Sequence, residues 1–151
     1  MDNKYGFTLV EILVVIAITI GLVAMIFPNF TNMRELARDN QRKSDLKQLQ
    51  KMLEIYKESQ SPISYPADGT IPSPCSSWSV GTTIITNKVP GDPRGTCTSP
   101  SAYYYRRTIG DTLRYVMYAC LENKNDKEGI VDNPEGFGTC MSGIFYKVVE
   151  P

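Results

Sequence analysis

Apolar and polar residues are distributed very unevenly along this 151-residue chain. From Phe7 to Phe27 almost every position is apolar, and Glu11 is the only ionisable side chain. At about 1.5 Å per residue, that run spans roughly 31 Å as a helix, close to the hydrocarbon thickness of a bilayer. It predicts a membrane-length helix over residues 7–30. Pro28 removes one backbone hydrogen bond and predicts a kink there, with Gly21 as a second weak point. Residues 31–59 then change character, mixing Arg, Lys, Glu, Gln and Leu, all good helix formers. Within them Leu46, Leu49, Leu53 and Tyr56 recur at spacings of three and four, one apolar stripe suited to packing on a sheet. A helix from Phe7 to about Ser59 would be roughly 80 Å long, more than a head of about 90 residues can cover. Residues 38–45 contain no apolar side chain and are expected to be exposed, with Asp39 and Lys43 as an i,i+4 pair. The basic excess of Arg34, Arg38, Arg42 and Lys43 reads as a solvated or subunit-facing surface rather than a nucleic-acid site.

The rest of the chain reads as a small β-rich head. Residues 60–101 carry seven prolines and predict loops, with one short strand at 82–86. Residues 102–109 and 112–121 are rich in tyrosine and β-branched residues, and Gly110-Asp111 between them suits a two-residue hairpin turn. In that register Arg107 faces Arg114, a mild conflict. Leu113, Tyr115, Met117, Ala119 and Leu121 alternate onto one face, expected to cover the helix. Residues 143–149 make a last strand. The tyrosines read as sheet packing rather than as a ligand box. The predicted class is α+β, a long N-terminal helix on a small antiparallel sheet, divided as 1–6, 7–30, 31–59 and 60–151.

Composition narrows the chemistry. There is no histidine, which removes the commonest general base and metal ligand. No phosphate-binding or dinucleotide-binding glycine pattern is present, so no catalytic set is expected. Sixteen basic residues balance sixteen acidic ones, which argues against nucleic acid as the main partner. The four cysteines, Cys75, Cys97, Cys120 and Cys140, suggest two disulfides and an oxidising compartment. Three pairings are possible; Cys75 with Cys97 and Cys120 with Cys140 is favoured, closing loops of similar size. Free thiols in a reducing interior are the alternative. Zinc is disfavoured because no Cys-x-x-Cys pair occurs.

The N-terminus has three readings. An ordinary secretory signal needs a site of small residues after the apolar run, and residues 22–30 offer none. A plain single-pass anchor leaves Glu11 unexplained, because a carboxylate in such a segment is costly without a partner. The third reading starts from Gly6-Phe7-Thr8-Leu9-Val10-Glu11 followed by the apolar run. This stretch resembles the processing signature of type IV prepilins and type II secretion pseudopilins.

The resemblance implies that a membrane prepilin peptidase cuts between Gly6 and Phe7, removing residues 1–6 as a leader. Phe7 would then become the N-methylated first residue. Glu11 would be the assembly acid, meeting the freed amine of a neighbouring copy, and Pro28 matches the family's proline near the end of the span. The alternative role for Glu11 is a bond within its own helix. Counting flanking basic residues favours a cytoplasmic C-terminal side. The cysteines favour the opposite, so the head is expected outside the cytoplasm, on a single-pass inner-membrane protein. Residues 89–95, with Asp92-Pro93-Arg94-Gly95, are similar to the Asp-Pro-Trp-Gly segment of major pseudopilins, with Arg94 in the tryptophan position. Those proteins bind calcium near their C-terminal end. Here the acidic segment 122–135, with Asp126, Glu128 and Asp132, lacks EF-hand spacing and reads as a solvated loop, and no cofactor is expected.

The implied fold is pilin-like and the implied role is that of a filament subunit, pilus or secretion pseudopilus. Its partners would be the lipid bilayer, other copies or related pilins, the peptidase, and a membrane assembly platform with its cytoplasmic ATPase. The rival is a low-copy tip module that captures DNA or a surface, using the tyrosines and arginines of residues 103–107.

Overall fold

A computed structural model of the protein describes residues 6–98, 101–131 and 137–151; the side chains of residues 27–29 and 31 are outside that description. One helix, α1 (Leu9–Glu58), precedes five strands: β1 (Trp78–Val80), β2 (Thr83–Thr86), β3 (Tyr104–Arg107), β4 (Tyr115–Cys120) and β5 (Phe145–Val149). The chain divides into two compact units, Met1–Glu35 and Leu36–Pro151, and α1 contributes to both. The helix is continuous through Gly21 and Pro28 in secondary structure.

In the second unit, the stripe read from the sequence becomes the core. Leu46 and Leu53 are fully buried and Leu49 nearly so, against Tyr65, Trp78, Ile85, Val89, Tyr115, Met117, Ala119 and Val148. Each buried leucine contributes at most about 2–3 kcal/mol. Tyr56 is half-buried, its ring 5.5 Å from that of Trp78. The helix stops where Ser59 takes over as a cap: its N–H bonds the Ile55 and Tyr56 carbonyls at 3.2 and 3.0 Å, and its hydroxyl donates to Tyr56 O at 2.6 Å. Pro62 follows, a residue that cannot continue the turn.

The strands form two antiparallel sheets, β1-β2 and β3-β4-β5. Central β4 is covered on both faces. Tyr115, Met117 and Ala119 join the core beneath the helix. On the other face Tyr118, 5% exposed, packs against Tyr104 and Phe145, and Phe137 bridges those two rings at 5.7 and 5.2 Å. The tyrosines are therefore sheet packing. Strand β2 lies within the expected 82–86 run. Strand β1 carries no alternating pattern and pairs with β2 through a turn opened by Gly81, whose φ of +55° suits glycine.

Three expectations need correction. The β3–β4 register is shifted by one from the simplest hairpin: Arg107 faces Tyr115, and Thr108 N–H bonds Arg114 O at 2.9 Å. The turn is longer because Asp111 N–H closes onto Thr108 O, Gly110 sits at φ +82°, and Asp111 Oδ1 then accepts from Leu113 N–H. That shift separates the two arginines. Leu113 consequently lies in the turn, half exposed, rather than on the covered face. Residues 38–45 are not a solvated stretch: Asp39, Arg42 and Asp45 are 0%, 2% and 4% exposed.

Candidate functional site

The N-terminal motif has a defined local geometry. Residues 6–8 precede the helix, which begins at Leu9. Thr8 is the N-cap: its Oγ1 accepts the Glu11 N–H at 3.2 Å. Glu11 Oε2 in return accepts the Thr8 N–H and the Thr8 hydroxyl, both at 3.2 Å. This reciprocal capping box satisfies helix-start donors that lipid cannot. A carboxylate also sits well against the positive end of the helix dipole. Glu11 thus bonds within its own helix in the isolated chain. The Gly6–Phe7 peptide lies outside the helix, Phe7 is 82% exposed, and a side chain at Gly6 would meet nothing among the described residues.

From Leu9 to Ile26 mean hydropathy is 2.9 and no residue is buried, long and apolar enough to cross a membrane. The other hydroxyl in this stretch, that of Thr19, bonds back to the Val15 and Ile16 carbonyls at 2.8 and 2.9 Å. Every side chain able to hydrogen-bond in the apolar stretch is therefore satisfied locally. Pro28 lies in α1, with its side chain outside the description.

A second constellation, missed by the sequence reading, lies wholly in the second unit. Arg42 donates from Nε to Asp92 Oδ2 at 2.7 Å and from Nη2 to Asp92 Oδ1 at 3.1 Å, and meets Asp39 at 2.7 Å and Glu122 at 2.8 Å. Asp39 also accepts the backbone N–H groups of Glu122 and Asn123, at 2.9 and 2.8 Å. Glu122 gathers Arg38 and Arg94, each at 2.6 Å. The three arginines, chiefly Arg38, outweigh the effect of its burial and hold the Glu122 carboxyl at about 2. Burial would lower the Arg42 pKa, but Asp92, Glu122 and Asp39 keep it above its ordinary value. Nearby, Lys43 pairs with Asp126 and Glu128 rather than with Asp39. Among the described residues the donors to Asp45 are neutral, the Tyr103 hydroxyl at 2.7 Å and the Gln41 amide at 2.6 Å, and burial pushes its carboxyl up.

Residues 39, 42, 46, 49, 53 and 56 follow one unbroken three–four spacing, so the phase of the buried stripe was legible through Arg42. That charged residues occupy it was not. Segment 122–135 is likewise more than a solvated loop, because Glu122 and Asp126 anchor it to the helix; Asp132 and Glu135 lie outside the described residues.

The structure joins Cys75 to Cys97 and Cys120 to Cys140, with Cα separations of 5.5 and 5.6 Å. Among the described residues no group of three or more His, Cys, Asp or Glu is placed to hold a metal ion. The Tyr103 and Tyr105 hydroxyls are used internally, on Asp45 and on the Pro66 carbonyl.

A helix that starts apolar and ends packed on small antiparallel sheets makes this an α+β, pilin-like arrangement. The family model of the prokaryotic N-terminal methylation motif matches residues 1–26. The chain thus carries the N-terminal methylation motif typical of type IV prepilins and pseudopilins, which implies pilin-type processing and assembly. No curated protein and no solved structure matches the chain.

Proposed function

We propose that this protein is a structural filament subunit, a type IV pilin-like protein or type II secretion pseudopilin. It is made as a single-pass inner-membrane precursor with its head outside the cytoplasm. The prepilin peptidase cuts between Gly6 and Phe7 and the Phe7 amine is methylated. An assembly platform then draws copies out of the bilayer, and apolar helices exchange lipid for one another. The observation that carries the reading is the processing motif set directly on an 18-residue helical stretch with no buried residue. Such a surface needs lipid or other helices around it.

In assembly, the Glu11 carboxylate leaves its bond to Thr8 and meets the Phe7 amine of an adjacent subunit. Both charges are then paired in an apolar setting, where an unpaired one is costly. The domain plan follows the same logic: leader 1–6, assembly half 7–30 including Pro28, amphipathic half 31–59, and a disulfide-linked head 60–151. Motif and fold favour a structural role over an enzymatic one.

Intact mass and N-terminal analysis of membrane-extracted protein test the processing step. Loss of residues 1–6 and one added methyl group on Phe7 are expected; an N-terminus beyond residue 22 refutes it. For assembly, Glu11→Ala in cells lacking the native copy should abolish sheared filaments while leaving membrane-bound subunit in place. Wild-type filament yield from that variant would end the assembly reading.

A further inference from the structure

We infer that Arg42 is a latch held by both disulfides, so that helix residues 38–45 stay docked only while both bridges are closed. The segment has no apolar side chain with which to hold itself to the head. Its attachment is polar: Arg42, whose side chain is 2% exposed, is flanked by Lys43 on Asp126 and Asp45 on Tyr103. The carboxylates that cage Arg42 from outside the helix come from two separate covalent loops. Asp92 lies between Cys75 and Cys97, and Glu122 between Cys120 and Cys140. Arg94 of the first loop also reaches Glu122 of the second at 2.6 Å. Asp39 completes the arrangement by accepting the N–H groups of Glu122 and Asn123, just past Cys120. The three elements are thereby tied at one point.

Each bridge limits the freedom of the loop that presents a carboxylate, so opening it adds conformational freedom that re-forming the cage must remove again. A buried guanidinium deprived of one counter-charge is disfavoured, whereas Glu122 keeps Arg38 and Arg94, so the coupling runs through Arg42. The cage therefore behaves as one cooperative unit. With either bridge open, Arg42 reaches water by releasing its helix segment. Two bridges at different places then have one shared consequence, at a site that contains neither. The inference concerns the head alone and does not depend on filament assembly.

Limited trypsinolysis of the full chain in detergent micelles, with fragments mapped by mass, tests this. Arg38, Arg42 and Lys43 are cleavage sites within the latched segment; Lys57 and Arg107 are reference sites elsewhere in the same unit. We expect all five to be protected in the oxidised protein. The double variants Cys75→Ser/Cys97→Ser and Cys120→Ser/Cys140→Ser should each be cut at least about tenfold faster at the three latch sites, with Lys57 and Arg107 unchanged. Asp92→Asn and Glu122→Gln, with both bridges intact, should reproduce that selective opening. Wild-type protection of the latch sites in either bridge variant overturns the proposal. Loss of protection at all five sites together does so as well, because the head then opens as one body without a local latch.

Discussion

Glu11 and Asp39 are acids in the same helix, held by opposite means. Glu11 sits on a stretch with no buried residue, and its bonds come from Thr8, three residues away. Asp39 is fully buried, and its partners include backbone groups more than eighty positions along the chain. The contrast extends to the apolar residues around them. Leu9 to Ile26 is apolar on every side with no core to enter, whereas Leu46, Leu49 and Leu53 present one stripe to a sheet. A local solution to charge makes no demand on distant groups. A tertiary solution fixes a segment to one neighbour.

The contrast breaks first at Arg42. Arg42→Ala leaves Asp39, Asp92 and Glu122 without their shared cation and should destabilise the head by about 3–5 kcal/mol in a urea melt of the full chain in micelles. Arg42→Met, which also removes the charge but keeps apolar bulk, should behave similarly, because the buried acids remain. If either variant melts with wild-type midpoint, the cluster is not structural.

Next comes the apolar stripe. Leu53→Ala should cost about 2–4 kcal/mol by the same measurement, and Leu13→Ala should leave the head midpoint unchanged, since Leu13 is 60% exposed and outside the buried core. Equal effects would erase the distinction between the two halves.

Acid sharpens the comparison further. Glu122 titrates at about 2 when folded, below its ordinary 4.5, so its contribution is present above about 4.5 and is lost as pH falls towards 2. The loss should be on the order of 2 kcal/mol after allowing for solvent screening. Asp45 has the opposite sign: burial raises its carboxyl, so protonation favours the folded head and partly offsets the loss. Glu122→Gln should flatten the acid limb of the stability profile, and Asp45→Asn should steepen it.

The smallest effect lies at the helix start. Thr8→Val removes the capping hydroxyl and should loosen the first turn by about 1 kcal/mol, seen as faster amide exchange at Glu11 and Ile12. Thr8→Ser should restore protection. No change at either amide would mean that the capping box does not hold the turn.

What could be read without coordinates follows from period and local chemistry. The spacing of Leu46, Leu49, Leu53 and Tyr56 identified the packed face, because a helix brings those positions together whatever lies opposite. The unrelieved apolar run and its single acid marked the membrane-length helical stretch for the same reason: both are properties of consecutive residues. The Thr8–Glu11 cap is a Thr-x-x-Glu pattern that the sequence reading passed over and the hydrogen bonds revealed. Strand β4 was legible from alternation, but its register was not, because one residue more or less in the turn decides it.

The amino-acid order by itself determined the long helix, its apolar first half, the processing motif and the α+β class, since each rests on neighbours within a turn or a strand. Only the tertiary structure decided that Asp39, Arg42 and Asp45 are buried, which carboxylates surround Arg42, and which of three cysteine pairings forms. A charged residue looks solvated until distant groups of opposite sign converge on it, and that convergence is a property of the folded chain.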